Sequence, residues 1–305
     1  MSKISYVFPG QGSQYVGMGS LLYDKFDSVR SFYNEVNDLL RFDLKKLCHE
    51  GPAEELNKDI IAQIAVYVNN HIHLMLIKEN GYAPVMATGY SLGFYSALVA
   101  GGAMDFATGL SIVKMAAKLM EEEIGSRKGG MIAIIGLLID DVEAICNEAK
   151  KEGDVWISNI NAARQVIVSG IEGGLRAAER LAQEKGALHT IPLNVGLPFH
   201  TPLMKRAGER FYEYLKTVDI KDSETPLVSY MNGQVIKGKD EIRRLLSEQL
   251  YNPVMWKDTI QMMINNGIDT FIEVGPERAL YRMIQWIDRK VKVMATEDIL
   301  NDIKR

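Results

Sequence analysis

One serine stands between two glycines at Gly89-Tyr90-Ser91-Leu92-Gly93, the G-x-S-x-G spacing that carries a hydroxyl on a sharp strand-to-helix turn. The glycines let the backbone turn and let neighbours approach without a Cβ clash. A serine hydroxyl becomes a nucleophile when a base removes its proton, and histidine is the usual base. Of the five histidines, His200 is the best placed, in the proline-bearing loop NVGLPFHTPLM that can present a side chain to a cleft. His49 precedes a glycine-proline turn and reads as solvated surface, and His189 falls in a predicted strand and reads as structural. His71 and His73 are two apart, which on a helix points them to different sides, so no metal pair is read there. Acyl chemistry also needs backbone N–H donors for an oxyanion. Leu92 follows the nucleophile, and the turn PGQGSQ could supply the second donor if it opens at the same end of a parallel sheet. That turn lacks the GxxxxGK[ST] pattern of a phosphate loop.

These groups need strands and helices to hold them. Ile4–Phe8 reads as a buried strand running into the glycine turn, and 83–88 as a second strand ending at the serine. Helical patterns run from Ser20 to Leu40, from Ile60 to a glycine stop at Gly81, from Leu92 onward, and from Phe106. From Gly129 the rhythm becomes strand, helix, strand, strand, helix, strand, the βαββαβ order of a ferredoxin-like unit. It reads as an insertion, with continuation of the main sheet as the alternative. After it, amphipathic helices and short strands resume, which argues for a mostly parallel, covered sheet. The expected organisation is a large α/β subdomain at 1–127 and 197–305 with a small one at 128–196.

At 47% hydrophobic and 24% charged residues, the chain of 305 has the composition of an ordinary globular protein with a sizeable core. A net charge of −4, with both signs dispersed, offers no footprint for nucleic acid or an anionic membrane. There is no run of about 18 apolar residues and no signal-peptide pattern. Cys48 and Cys146 lie far apart without a CxxC pairing, so neither a disulfide framework nor a zinc site is expected, and a reducing cytoplasm fits.

Taken together, FPGQGSQ, GYSLG, SNINAARQVIVSG, FHTPLM, EQLYNPVMW and FIEVGPERAL resemble the malonyl-CoA:acyl carrier protein transacylase family and the acyltransferases of polyketide synthases, in unbroken order from residue 4 to about 290. The resemblance implies an α/β-hydrolase-like large subdomain with a ferredoxin-like small one. It implies that Ser91 is acylated with His200 as its base, and that the backbone N–H of Gln11 completes the oxyanion hole with Leu92. It also implies that the carbonyl of Gln249 orients the histidine. No permanently bound cofactor or metal is implied; acyl-CoA and an acyl carrier protein bearing phosphopantetheine are the expected partners.

Several positions depart from the family pattern. GHSxGE becomes Gly89-Tyr90-Ser91-Leu92-Gly93-Phe94, and VSNV becomes Val228-Ser229-Tyr230-Met231. Where the family carries the arginine that grips a malonyl carboxylate, this chain has Ala116. Lys114 and Lys118 lie two residues to either side, about 200° around a helix, and do not replace it simply. Tyr90, Ala116, Phe199 and Tyr230 are therefore expected to shape an altered acyl pocket. The expected activity is acyl transfer with changed acyl specificity. An editing acyl hydrolase on carrier proteins and a non-catalytic carrier-binding scaffold are the alternatives.

Overall fold

The computed structural model describes residues 2–301. Ile4–Phe8 forms β1, whose last four residues are buried, and the glycine turn follows. Helices α1 (Ser20–Lys25) and α2 (Asp27–Leu40) occupy the stretch that reads as one helix. Phe26 divides it by taking extended backbone at φ −124°, and Arg30 Nη1 donates to the Tyr23 and Asp24 carbonyls at the break. No glycine or proline marks that point. The short α3 (Leu44–Glu50) and α4 (Ala53–Leu56) lead to α5 (Asp59–Glu79). By length and composition α5 could cross a membrane, but here it is a largely buried core helix. It carries buried Gln63, Asn69, Asn70 and His73. Asn70 Nδ2 donates to the Pro9 carbonyl and the Ser96 hydroxyl, which fixes the start of the glycine turn.

Strand β2 (Met86–Gly89) then delivers the serine, followed by α6 (Gly93–Ala100) and α7 (Phe106–Ile124). Asp105 caps α7 by accepting from Thr108 N at 2.7 Å. Next come β3 (Gly129–Ile135), α8 (Ile139–Ala149), β4 (Val155–Ala162), β5 (Gln165–Ile171), α9 (Glu172–Glu184) and β6 (His189–Pro192). These four strands form their own antiparallel sheet in the order β4-β5-β3-β6, so they do not continue the main sheet. Residues such as Ile134, Val142, Val166, Val168 and Ala178 give it a separate core.

The chain returns through a 3-10 turn at Pro202–Met204 to α10 (Lys205–Leu215), β7 (Leu227–Val228), β8 (Val235–Ile236), α11 (Lys239–Glu248) and α12 (Trp256–Asn265). It ends with β9 (Thr270–Glu273), α13 (Ala279–Ile287), β10 (Lys292–Ala295) and α14 (Thr296–Asn301). The main sheet runs β10-β9-β1-β2-β7-β8, parallel from β10 to β7, with β8 as an antiparallel edge. The fold is thus α/β, with a mostly parallel sheet and a separate antiparallel one. Because β1 and β2 are neighbours, with Phe8 opposite Gly89, the glycine turn and the serine turn leave the sheet side by side.

Candidate active site

The turn after β2 is tight because only glycine fits on either side of the serine. A Cβ on Gly89 would lie 2.0 Å from the Gly93 carbonyl carbon, and one on Gly93 would lie 2.0 Å from the Phe8 carbonyl oxygen. Ser91 itself sits at φ 51°, a left-handed conformation that a side chain adopts only when its surroundings impose it. The glycine turn is pressed against this elbow: Tyr90 N donates to Phe8 O at 2.9 Å, and a Cβ on Gly10 would meet the Tyr90 carbonyl at 2.4 Å. The N–H groups of Gln11 and Leu92 donate to no acceptor among the described residues.

His200 reaches the elbow from the loop after β6, also at positive φ, 59°. Its Nε2 accepts from the Ser91 hydroxyl at 2.7 Å, and its Nδ1–H donates to the Gln249 carbonyl at 2.7 Å and to the Asn252 carbonyl at 3.1 Å. Burial lowers the imidazole pKa to about 4, and those two carbonyls act in the opposite direction. The ring is therefore neutral at pH 7, with its acceptor nitrogen facing the serine. Chemically, His200 Nε2 can accept the Ser91 proton as the serine oxygen attacks a carbonyl carbon.

Ser91 and His200 open into a cavity of about 250 Å³ between the two sheets' units. Gln11, Leu92, Gln249, Tyr90 and Phe199 line it, whereas Ala116 and Tyr230 are buried outside its lining. Ala116 stands one helical turn before Met120, which does line it. No Lys, Arg, Asp or Glu lines this cavity among the described residues. Lys114 and Lys118 are exposed, and Lys118 faces Glu122 at 3.8 Å.

Tyr90 ties the elbow to the second sheet. Its hydroxyl donates to Asn161 Oδ1 at 2.7 Å and accepts from Asn159 Nδ2 at 2.7 Å, both residues being on β4. Tyr230 is a fully buried phenol that donates to Gln249 Oε1 at 2.6 Å. Sequence reasoning gave no role to Asn159, Asn161, Gln63, Tyr95 or Met120, all of which line the cavity. The two asparagines, two apart on a strand and hence on one face, were the readable signal.

The remaining histidines stand elsewhere. His49 is not solvated surface: it is half-buried between the rings of Tyr23 and Tyr33, at centroid distances of 5.4 and 5.3 Å. Burial there lowers its pKa. His71 packs on Phe32 and Phe106, His73 Nδ1 meets Thr296 Oγ1 at 2.5 Å, and His189 is exposed on β6. Among the described residues no three His, Cys, Asp or Glu side chains gather as a metal site. Cys48 and Cys146 are buried free thiols.

Residues 5–305 match the acyl transferase domain family. The chain is 38% identical over 299 residues to a malonyl CoA-acyl carrier protein transacylase of Bacillus subtilis, covering 98% of this chain and 94% of that protein. It superposes with a TM-score of 0.93 at 35% identity on an acyl-carrier-protein S-malonyltransferase of Burkholderia pseudomallei, covering 98% and 99% of the two chains. A malonyl-transacylase solved in complex with a type II polyketide synthase acyl-carrier protein gives a TM-score of 0.91 at 33% identity, covering 96% and 95%. The chain belongs to the acyl transferase domain family.

Proposed function

We propose that this protein moves an acyl group from a coenzyme A thioester, through an ester on Ser91, to the phosphopantetheine thiol of an acyl carrier protein, and that the acyl group is uncharged. The transfer follows from the relatives, which are named as malonyl CoA-acyl carrier protein transacylases, and from the Ser91–His200–Gln249 relay. The uncharged acyl group is supported by the absence, among the described residues, of any Lys or Arg side chain from the cavity lining. A buried carboxylate without a cation is costly, and a guanidinium fork suits it best. The resemblance places Ala116 of this chain at the position of that arginine.

In the first half-reaction the Ser91 proton passes to His200 Nε2 as Oγ bonds to the thioester carbon. The Gln11 and Leu92 N–H groups receive the tetrahedral oxyanion. Collapse breaks the carbon–sulfur bond, and His200 returns the proton to the departing thiolate. In the second half the carrier thiol loses its proton to His200 and attacks the seryl ester, which restores Ser91. The carbonyl of Gln249 holds the imidazole in the tautomer that both halves use. Residues 128–196 act as the small subdomain, with 1–127 and 197–305 as the large one, and Tyr90 and Phe199 form the pocket wall backed by Ala116 and Tyr230. The buried free thiols fit a cytoplasmic setting.

The test is intact-mass analysis after incubation with malonyl-CoA and neutral acyl-CoA thioesters, with and without a phosphopantetheinylated carrier protein. A neutral acyl adduct on Ser91, lost in Ser91→Ala and discharged onto the carrier, is the expected result. Free acid outpacing acyl-carrier would make the protein a hydrolase; preferential malonyl labelling would overturn the uncharged acyl group.

A further inference from the structure

The main-chain N–H of Gln11 is one of the two proposed oxyanion donors, and the turn that carries it is flanked by Gly10 and Gly12, the latter at φ 104°. Glycines on both sides leave the peptide free to rotate unless something else holds it. The Gln11 side chain is what α5 holds. Its Nε2 donates to Asp59 Oδ1 at 2.6 Å, and its Oε1 accepts from the buried Gln63 Nε2 at 3.2 Å. Asp59 opens α5 and Gln63 lies four residues on, so one helix face grips both ends of the amide. The other carboxylate oxygen, Asp59 Oδ2, accepts from Gly196 N at 3.0 Å. Gly196 stands four residues before His200, in the stretch that returns from β6 to the base. Asp59 is thus bonded to both segments that converge on Ser91, the one with the Gln11 N–H and the one with the imidazole. Burial raises its pKa, and the bonds from Gln11 and Gly196 act in the opposite direction. Among the described residues, Gln11 and Gln63 line the Ser91 cavity and Asp59 does not, so Asp59 can act on the chemistry only through its neighbours.

We propose that Asp59 is a positioning residue for acyl transfer: its carboxylate fixes the Gln11 turn against the His200 loop, and so sets the rate of Ser91 acylation and not the affinity for the acyl thioester. A charged acceptor makes both of its hydrogen bonds stronger than a neutral one would. Removing it releases the Gln11 amide and the Gly196 segment together. The Gln11 peptide can then turn between its glycines, which swings its N–H away from the place where the oxyanion forms. Such a donor matters most once the carbonyl oxygen carries charge, so its misplacement shows in the chemical step and not in ground-state binding. This inference rests on the proposed seryl acyl transfer and holds whichever acyl group is carried.

The experiment is single-turnover acylation of Ser91 by acetyl-, butyryl- and malonyl-CoA, followed by intact mass over a range of thioester concentrations. Asp59→Ala should lower the saturating rate constant by about tenfold to a hundredfold, part of the roughly 10²–10³ that one oxyanion donor supplies. The half-saturating concentration should stay where it is in the wild type. Asp59→Asn, which keeps one acceptor oxygen, should fall between the wild type and Asp59→Ala. Gln11→Ala, which keeps the main-chain N–H, should slow acylation as well, and adding Asp59→Ala to it should cost less than the product of the two separate losses. An unchanged rate constant in Asp59→Ala, a loss confined to half-saturation, or losses that multiply in full would overturn the positioning role while leaving seryl acyl transfer intact. No wild-type adduct on Ser91 from any of the three thioesters would overturn the transfer reading, and this role with it. Should Asp59→Ala fail to fold, the isosteric Asp59→Asn decides the matter by the same split between rate constant and half-saturation.

Discussion

The Ser91 hydroxyl donates to His200 Nε2 across 2.7 Å, and both residues are held at positive φ, 51° and 59°. Two non-glycine residues in that region are costly unless their surroundings over-determine them, so the contact is imposed by the fold. Removing the base should leave the nucleophile in place but idle. His200→Ala is expected to slow Ser91 acylation by about 10³-fold or more, with the thermal transition shifted little by comparison. A His200→Ala protein that acylates within tenfold of the wild type would contradict the assigned base.

The same pair predicts a pH profile. Burial lowers the His200 pKa to about 4, so the neutral form needed to accept the serine proton persists well below pH 6.5. Pre-steady-state acylation should therefore stay level as pH falls to about 5 and drop only near 4. An acid limb centred at 6 to 7 would show an imidazole with far more solvent than this cavity gives it.

Substituting Gly93 should be worse for folding than for chemistry. An alanine Cβ there would lie 2.0 Å from the Phe8 carbonyl oxygen, a backbone atom of a central strand that cannot move aside cheaply. Gly93→Ala should destabilise by at least ~3 kcal/mol, read by chemical denaturation. A stable Gly93→Ala protein would mean that β1 and the elbow are less closely apposed.

Much of this arrangement is visible in short-range pattern. The strand, glycine and serine spacing marks the elbow, and the βαββαβ rhythm marks the second sheet, because both depend on residues a few positions apart. The break at Phe26 escapes such reading because its cause is long-range packing and the Arg30 contacts, without a local breaker. Helix α13 and strand β10 escape it too, although Leu280 of α13 lines the cavity. In the site, Ser91 and His200 follow from motif logic. The partners of Tyr90 depend on which face of β4 meets the elbow, and the Gln249 side chain takes its hydrogen bond from a tyrosine 19 residues earlier; both are set by docking, not spacing.

Tyr90→Phe tests that docking. It removes both hydrogen bonds to β4 and leaves the buried Asn159 and Asn161 amides short of partners, which should cost about 1–3 kcal/mol. The loss should appear as a lower Tm. Unchanged Tm would mean that the asparagines re-pair or that water reaches them.

Glu273, fully buried on β9, accepts from Leu280 N at 3.0 Å and Tyr281 N at 2.7 Å at the start of α13. Burial raises its pKa from the ordinary glutamate value to about 8, against the lowering effect of those two bonds. The native state therefore holds this proton more tightly than the unfolded chain does. Stability should fall as pH rises from about 4.5 through 8 and level off above that. Glu273→Gln, uncharged at every pH, should lose this component of the slope in denaturation midpoints measured from pH 5 to 9. An equal slope in both proteins would assign the pH dependence to other groups.

Ala116 offers the reverse experiment, adding a charge in place of removing one. It is 1% exposed on α7, one turn from Met120 in the cavity lining, so an arginine there must either reach the cavity or unfold its surroundings. If the lack of a cation is what disfavours a carboxylate, Ala116→Arg should raise the ratio of malonyl to butyryl labelling at Ser91 by tenfold or more, because a guanidinium in the cavity pairs with one and not with the other. The substitution introduces a buried charge, so the apo protein should lose stability and regain part of it when malonyl-CoA is bound, which thermal shift would register. A folded Ala116→Arg protein with an unchanged labelling ratio would remove Ala116 from the account of acyl selectivity.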